Sequence, residues 1–366
     1  MNTAGALMFA WRVLPRLPEW LVRGGFDVVA RAVHLLRPAA VRQLELNLGR
    51  VRPDLGRRAL RTVSREGMRA YLRYYAEALT LSAVPEHQLR HRVRTVNAEP
   101  ARAHLRAGRS VVAALGHTGN WDLAGAWCGR HLAPVLTVAE VLEPPELFEQ
   151  FQRFRAALGM EVIGLTRDGT ALPTLARRAR ERAYLVPLLA DRDLSRSSVE
   201  VDVGAHRMRV AAGPAVLAEQ LRAPLVQGFL RHERLRGRAR RLAGSPWGVV
   251  ARFAPVQIPP DTPAEERVAA LTQRWVDVLM EQVRRYPEQW HMLSKVFTED
   301  LDAERLARSH RRQAAAEHRT EMGGSSGGGA GANGAGEHNA DPPDASDGEG
   351  RRGRAAANGA AGEEGT

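Results

Sequence analysis

The chain has 366 residues, a formal net charge of +12 and one cysteine, Cys128. That length would hold two domains at ~150 residues each, but a lone cysteine excludes an internal disulfide framework and any cysteine-clustered zinc site and fits a reducing compartment. Residues 313–366 hold nine acidic and four basic side chains, a net of −5, which leaves +17 on residues 1–312, and so cationic a body attracts nucleic acid, anionic lipid head groups or a phosphorylated substrate.

Lys295 is the only lysine, so the charge is almost wholly arginine, a bias that genomic base composition explains as readily as phosphate recognition. The first apolar run stops at Arg12, short of the ~18–20 residues of a spanning helix. No basic segment precedes that run, so it does not read as a signal peptide. These features favour the cytoplasmic side of a membrane over secretion.

In chain order, residues 5–36 place Leu7, Met8, Trp11, Leu14, Trp20, Leu21, Val29 and Val33 at three- and four-residue steps with arginines between them. Pro15 and Pro18 divide this stretch into at least two amphipathic helices. Trp11 and Trp20 beside arginines suit a lipid interface, where an indole is wet at one end and a guanidinium meets phosphate; a helix packed on the body is the rival reading. Residues 58–81 predict a helix, with Arg69, Arg73 and Glu77 on an exposed charged face and Tyr71, Leu72, Tyr75 and Leu79 buried. Residues 1–85 thus form a helical, membrane-associating region. Beyond Pro85, short apolar runs at 110–115, 134–139, 161–165, 184–190 and 224–229 read as strands. They alternate with helices at 121–131, 145–158, 170–182 and 213–222, the pattern of an α/β fold with a largely parallel sheet. A strand at 247–253 pairs with 224–232 through a hairpin, and a helix at 263–285 closes a core spanning 86–312, one globular unit with the N-terminal helices. From 313 to 366 the chain is rich in Gly, Ala and acidic residues and reads as a disordered tail, because it has too little apolar surface to offset its ordering entropy.

Chemistry concentrates at Gly116-His117-Thr118-Gly119-Asn120-Trp121-Asp122. The strand 110–115 ends in Gly116, so His117 emerges at a carboxyl end, where open α/β sheets place reactive groups. Thr118, Gly119 and Asn120 form a tight turn, Asn120 caps the next helix, and free backbone N–H groups there suit an oxyanion or phosphate. In one continuous helix His117 and Asp122 would lie about 140° apart; with a turn between them, Asp122 can orient the imidazole as a general base. No protein nucleophile accompanies this base. The only Gly-x-Ser-x-Gly string, Gly323 to Gly327, lies in the tail, and Cys128 falls inside a helix, so a substrate hydroxyl would attack directly.

A second charged cluster, Asp191-Arg192-Asp193-Leu194-Ser195-Arg196, follows the strand 184–190. Parallel strands open their carboxyl ends on one side, so Asp191 can reach His117, with Arg192 and Arg196 as phosphate ligands in the same cleft. A solvated loop with internal ion pairs is the alternative.

The His-x4-Asp string resembles the bacterial acyltransferases of the lauroyl/myristoyl type that acylate lipid A, and more closely their actinobacterial relatives, the phosphatidylinositol mannoside acyltransferases. Ala190 to Leu194 with Val199 to Asp202, Ala212 to Ala215, and Tyr286-Pro287-Glu288-Gln289-Trp290-His291 extend the resemblance over about residues 5–300. It implies a glycerol-phosphate-acyltransferase-like αβα core and, as co-substrate, a long-chain, palmitoyl-type acyl-CoA, with no cofactor and no metal. The implied acceptor is a mannose hydroxyl of an anionic mannosylated phosphoinositide at the inner leaflet. His117 would be the general base, Asp122 its motif partner and Asp191 the carboxylate facing the imidazole, with Glu200 as rival. Thr118, Gly119, Asn120, Arg192, Asp193, Arg196 and Glu200 would bind substrate. Lipid A relatives usually have an uninterrupted apolar anchor and end the motif in Glu; here Arg12 and Arg16 interrupt the anchor and the motif ends in Asp122, which favours the mannolipid.

A non-catalytic binder of nucleic acid or anionic membrane is the competing class, resting on the arginine-rich segment from Arg231 to Arg241. That segment reads rather as a solvated hairpin edge. It lacks the aromatic interleaving that stacks bases, and no nucleic-acid partner is expected.

Overall fold

The computed structural model of the protein describes residues 9–141, 145–165, 170–195 and 197–301. The Gly-rich segment 313–366, the side chains of Leu7 and Met8, and Arg196 lie outside the described residues. In chain order the elements are α1 (Glu19–Leu36), α2 (Ala39–Val51), α3 (Arg57–Thr80), α4 (Glu86–Leu89), β1 (Val93–Val96), α5 (Glu99–Arg106), β2 (Val111–Leu115), α6 (Trp121–His131), β3 (Val135–Glu140) and α7 (Pro145–Ala157). There follow β4 (Met160–Leu165), α8 (Ala171–Glu181), β5 (Leu185–Leu189), β6 (Ser198–Val203), β7 (His206–Ala211), α9 (Gly213–Leu221), β8 (Leu225–Arg234), α10 (Gly237–Ala243), β9 (Trp247–Pro255) and α11 (Arg267–Arg285).

Seven strands form one sheet in the order β1-β9-β8-β2-β5-β3-β4. β8, β2, β5, β3 and β4 run parallel, while β9 pairs antiparallel with β8 and parallel with β1. The sheet is therefore largely parallel, with helices packed on it, as the alternation of short apolar runs and helical stretches implies. Every residue of β2 is buried, which is why Val111 to Leu115 reads as a continuous apolar run rather than an alternating one. The antiparallel β6–β7 hairpin lies beside the main sheet.

The core is continuous from the N-terminal helices to the sheet. Val41, Leu44 and Leu48 of α2 and Met68 of α3 pack in one cluster with β2, β5, α9 and α11. Three sequence expectations change here. Tyr75 is exposed rather than buried. Glu77 is buried rather than solvated, because Asn120 and His232 take its carboxylate; Arg73 is half-buried with its guanidinium 3.6 Å from the centroid of the Trp247 ring. The arginine-rich stretch after β8 is not a hairpin edge throughout: Arg231 to Arg234 complete β8 and Gly237–Ala243 form α10.

β5 and β3 pair only at Val135 and Leu185. Pro187 in β5 has no N–H to donate and its carbonyl is taken by the Thr137 hydroxyl at 2.6 Å, so the ladder between these strands lapses. An apolar cavity of about 80 Å³ opens there beneath α6.

Candidate active site

The sheet register creates the site. Leu115 of β2 pairs with Leu189 of β5, so two residues further on His117 and Asp191 stand side by side at the carboxyl ends of adjacent parallel strands, whose spacing is ~4.8 Å. The imidazole Nδ1 of His117 lies 2.5 Å from Asp191 Oδ1, and its backbone N–H donates to Asp191 Oδ2 at 2.9 Å. The indole N–H of Trp290 donates to the same Oδ2 at 2.8 Å. A Cβ on Gly116 would lie 3.1 Å from that oxygen and 3.0 Å from Leu279, so a side chain would crowd the residue before the histidine.

Asp191 is fully buried. Burial acts to raise its pKa, but the His117 imidazole, the Trp290 indole and the His117 amide outweigh it and hold the carboxyl below its ordinary value. For His117, burial lowers the pKa and Asp191 raises it by charge and hydrogen bond; the net shift is upward. The imidazole side chain remains 36% exposed. With Nδ1 committed to Asp191, Nε2 has no hydrogen-bond partner among the described residues and faces the mouth of the site, with Trp121 edge-on at 5.7 Å between centroids.

The turn after His117 is held rather than open. Thr118 N donates to Gly116 O at 2.7 Å and Gly119 N to Gln289 O at 3.2 Å, while His291 N donates to His117 O at 2.7 Å. The Thr118 hydroxyl accepts from Leu230 N at 3.2 Å. Gly119 has φ +56°, and a Cβ there would sit 2.6 Å from the Leu230 carbonyl carbon, a double reason for glycine. Asn120 caps α6 as expected, its Oδ1 accepting from Leu123 N at 2.9 Å, and its Nδ2 donates to Glu77 at 2.8 Å. The backbone N–H groups of His117, Thr118 and Gly119 are therefore engaged within the protein, which corrects the expectation that the donors of Thr118 and Gly119 are free for an oxyanion; Asn120 N makes no hydrogen bond among the described residues.

Asp122 does not touch the imidazole. Its Oδ2 accepts from the Tyr74 hydroxyl at 2.9 Å and its Oδ1 from Arg155 Nε at 2.9 Å, so it ties α6 to α3 and α7. Both side chains of the ion pair are nearly inaccessible, at 9% and 3%. Replacing Asp122 by alanine strands a buried guanidinium, and should cost ~3–5 kcal/mol in denaturant unfolding. Stability unchanged by that substitution would show that Asp122 is not this structural tie.

Among the remaining predicted residues, Arg192 is exposed and near enough to His117 for its charge to lower the imidazole pKa. Asp193 accepts from Ser195 N at 2.7 Å and so shapes its own loop. Glu200, on β6, faces Arg209 at 3.6 Å and Arg207 at 4.0 Å instead of the imidazole. Cys128 is buried in α6 with its thiol pKa pushed up to about 12, which makes it a poor nucleophile.

Sequence reasoning assigned no role to Trp290, Gln289, Glu77, Tyr74 or Arg155. Trp290 and Gln289 lie in the segment Tyr286 to His291, which was marked only by resemblance. Here Gln289 Oε1 accepts from His232 N at 2.8 Å, and Thr118 bridges antiparallel to Trp290. His232 Nε2 lies 3.2 Å from Glu77. An indole whose N–H demands a partner when buried was the one usable signal. Among the described residues no group of three or more His, Cys, Asp or Glu side chains is arranged to hold a metal ion.

Residues 3–299 match the family described as bacterial lipid A biosynthesis acyltransferase. The chain is 35% identical over 300 residues to a phosphatidylinositol mannoside acyltransferase of Mycolicibacterium smegmatis, covering 81% of this chain and 92% of that protein. It is 32% identical over 310 residues to a protein of the same name from Mycobacterium tuberculosis, covering 83% and 92%. With a family match across nearly all of the described residues, the chain belongs to the bacterial lipid A biosynthesis acyltransferase family.

Proposed function

We propose that the protein moves a long-chain, palmitoyl-type acyl group from acyl-CoA to a mannose hydroxyl of an anionic phosphatidylinositol mannoside, at the inner-leaflet surface of the plasma membrane. The observation that carries this reading is the buried Asp191 carboxylate on His117 Nδ1, which leaves Nε2 as a proton acceptor at the mouth of the site. The names of the relatives support the acceptor class.

In this mechanism Nε2 takes the proton of the sugar hydroxyl as its oxygen attacks the thioester carbonyl. The new C–O bond forms, the tetrahedral intermediate collapses with cleavage of the C–S bond, and the imidazolium returns its proton to the departing thiolate, releasing ester and free CoA. Asp191 stabilises the imidazolium throughout. Arg192, rather than the occupied amides of Thr118 and Gly119, supplies charge to the developing oxyanion. The apolar cavity beneath α6, lined by Trp121, Leu115, Ala124 and Gly125, begins at Trp121, whose ring stands edge-on to the imidazole; at about 80 Å³ it suits the first few methylenes of an acyl chain, since whole ligands take pockets of ~300–1,000 Å³.

Membrane contact falls to α1. Trp20, Leu21, Val28, Val29, Leu35 and Leu36 are 47–82% exposed, an apolar stripe beside Arg23 and Arg31 of the kind that lies in a lipid interface. No described helix is long and apolar enough to cross a membrane.

The test is direct. Purified protein given labelled palmitoyl-CoA and phosphatidylinositol mono- or dimannoside should release CoA thiol and yield one added acyl chain by mass spectrometry. Transfer to a lipid A precursor but not to the mannolipid would overturn the acceptor; no transfer to either would overturn the reaction.

A further inference from the structure

A second cavity of about 210 Å³, its lining rich in charged side chains, lies between α1, α3 and the β8–β9 hairpin, lined by Trp20, Arg23, Asp27, Arg69, Arg73 and Arg234 together with Gly24 and Trp247. Asp27 is its one lining acid, and that carboxylate is already taken by Arg69 at 2.6 Å and Arg31 at 2.7 Å. Arg23 is paired with Glu19 at 2.9 Å. Arg73 and Arg234 are different. Neither makes an ion pair or hydrogen bond among the described residues; both guanidinia stack on the Trp247 indole, at 3.6 Å and 4.9 Å from the ring centroid.

Burial pulls the pKa of Arg73 down to about 10, with its neighbours Arg69 and Arg23 acting in the same direction against Glu77 and Asp27. No carboxylate is in ion-pair contact with this half-buried guanidinium, because Glu77 is taken by Asn120 and His232 and Asp27 by Arg69 and Arg31, so a cavity that other arginines line is short of the counter-charge that normally accompanies such a group. Stacking on Trp247 fixes the plane of the fork but leaves its N–H donors unused. The cavity is several times the ~30 Å³ share of one water, space enough for a tetrahedral anion.

The position narrows the ligand. Trp20, which lines the cavity, is 67% exposed and belongs to the apolar stripe of α1, so the cavity opens where a bilayer would meet the protein. On α3, Arg73 precedes Tyr74 and Glu77, the side chains that hold Asp122 and Asn120 of the motif loop. We propose that this cavity is a binding site for the phosphodiester of a membrane lipid head group, gripped by Arg73 and Arg234. It rests on the membrane-surface reading above, and it gives the acceptor or a neighbouring lipid a fixed point beside α3 while the sugar reaches toward His117.

Calorimetric titration of the full chain tests it without turnover. Glycerophosphoinositol, a soluble head group, should bind saturably while inositol, which lacks the phosphate, should not. Arg234→Gln, at an exposed position, and Arg73→Gln should each weaken that binding about tenfold to a hundredfold, with the melting temperature of Arg234→Gln unchanged. Equal binding of inositol, or wild-type affinity in Arg234→Gln, would overturn the site. Inorganic phosphate binding as tightly as glycerophosphoinositol would make it a free-phosphate site, and displacement by CoA would assign it to the donor; either overturns the lipid assignment. Because no acyl transfer is measured, failure here leaves the transfer reaction standing, and failure of the transfer assay leaves this binding to be judged separately.

Discussion

Replacing His117 with alanine should reduce acyl transfer by ~10²- to 10⁴-fold, the loss typical when a general base is removed, while the protein stays folded. The imidazole is 36% exposed, and the backbone N–H of residue 117 and the Trp290 indole still donate to Asp191 once it is gone, so the substitution neither opens a large cavity nor leaves the buried carboxylate without donors. No neighbour can stand in. His232 is buried against Glu77 and Gln289. His291 is buried with both ring nitrogens unpartnered, and burial, with the charges of His232, His117 and Arg73, holds its pKa well below the ordinary imidazole value. Transfer measured alongside a thermal melt separates catalysis from stability: a folded, fully active alanine variant would remove His117 from the mechanism.

Asp191→Asn should be nearly as damaging, and its pH profile is diagnostic. The carboxylate accepts three hydrogen bonds, from the imidazole, the His117 amide and the Trp290 indole. An amide has one acceptor oxygen and would turn its NH₂ group toward at least one of those donors. The expected loss in rate is ~10²- to 10⁴-fold, from a misoriented imidazole and an imidazolium left without its counter-charge. The sign of the pH effect follows from the same contacts. His117 acts as a base only when neutral, so kcat/KM rises with pH through its pKa. Asp191 raises that pKa against the opposing effect of burial, which sets the rising limb of the wild type above the ordinary imidazole value near 6.5. Without the carboxylate, burial and Arg192 act alone and the limb should move to lower pH. A variant with the wild-type limb would show that Asp191 does not control the base.

Much of the architecture is readable from local pattern. The boundaries expected at 121–131, 213–222 and 58–81 meet α6, α9 and α3 to within a residue, because each is set by a cap, a glycine–proline start or a proline stop close by in sequence. The strands β2, β5 and β8 are apolar runs because parallel strands bury both faces. What escaped is short or ambiguous: α2, β1, α5 and the β6–β7 hairpin. The four-residue β1, the six-residue β6 and β7 and the eight-residue α5 present too few repeats of either period to distinguish themselves, whereas the 13-residue α2 buries Glu45 and Asn47 among its apolar side chains, which blurs its period.

The charged side chains of α3 show a different limit. Arg69, Arg73 and Glu77 at four-residue steps are what a solvated ion-paired face looks like, and the same spacing equally places three charges on one inward face. Glu77 faces inward because Asn120 and His232, 43 and 155 positions away, satisfy its carboxylate. No window along the helix contains those partners. Arg155 and Asp122 are hidden for the same reason.

The sequence by itself determined the outline of the loop that carries His117: a histidine after a buried strand, a tight turn through Thr118 and Gly119, an asparagine cap, and the absence of a nucleophile beside them. It also narrowed the carboxylate facing the imidazole to Asp122, Asp191 and Glu200. Only the tertiary structure decided among these. Side-by-side pairing of β2 with β5 carries Asp191 to the imidazole, the packing of α3 and α7 draws Asp122 to Tyr74 and Arg155, and Glu200 on β6 is held by Arg209. Hydrogen bonds of 2.5 to 3 Å are settled by strand register and helix packing, and these depend on contacts between residues far apart in the chain.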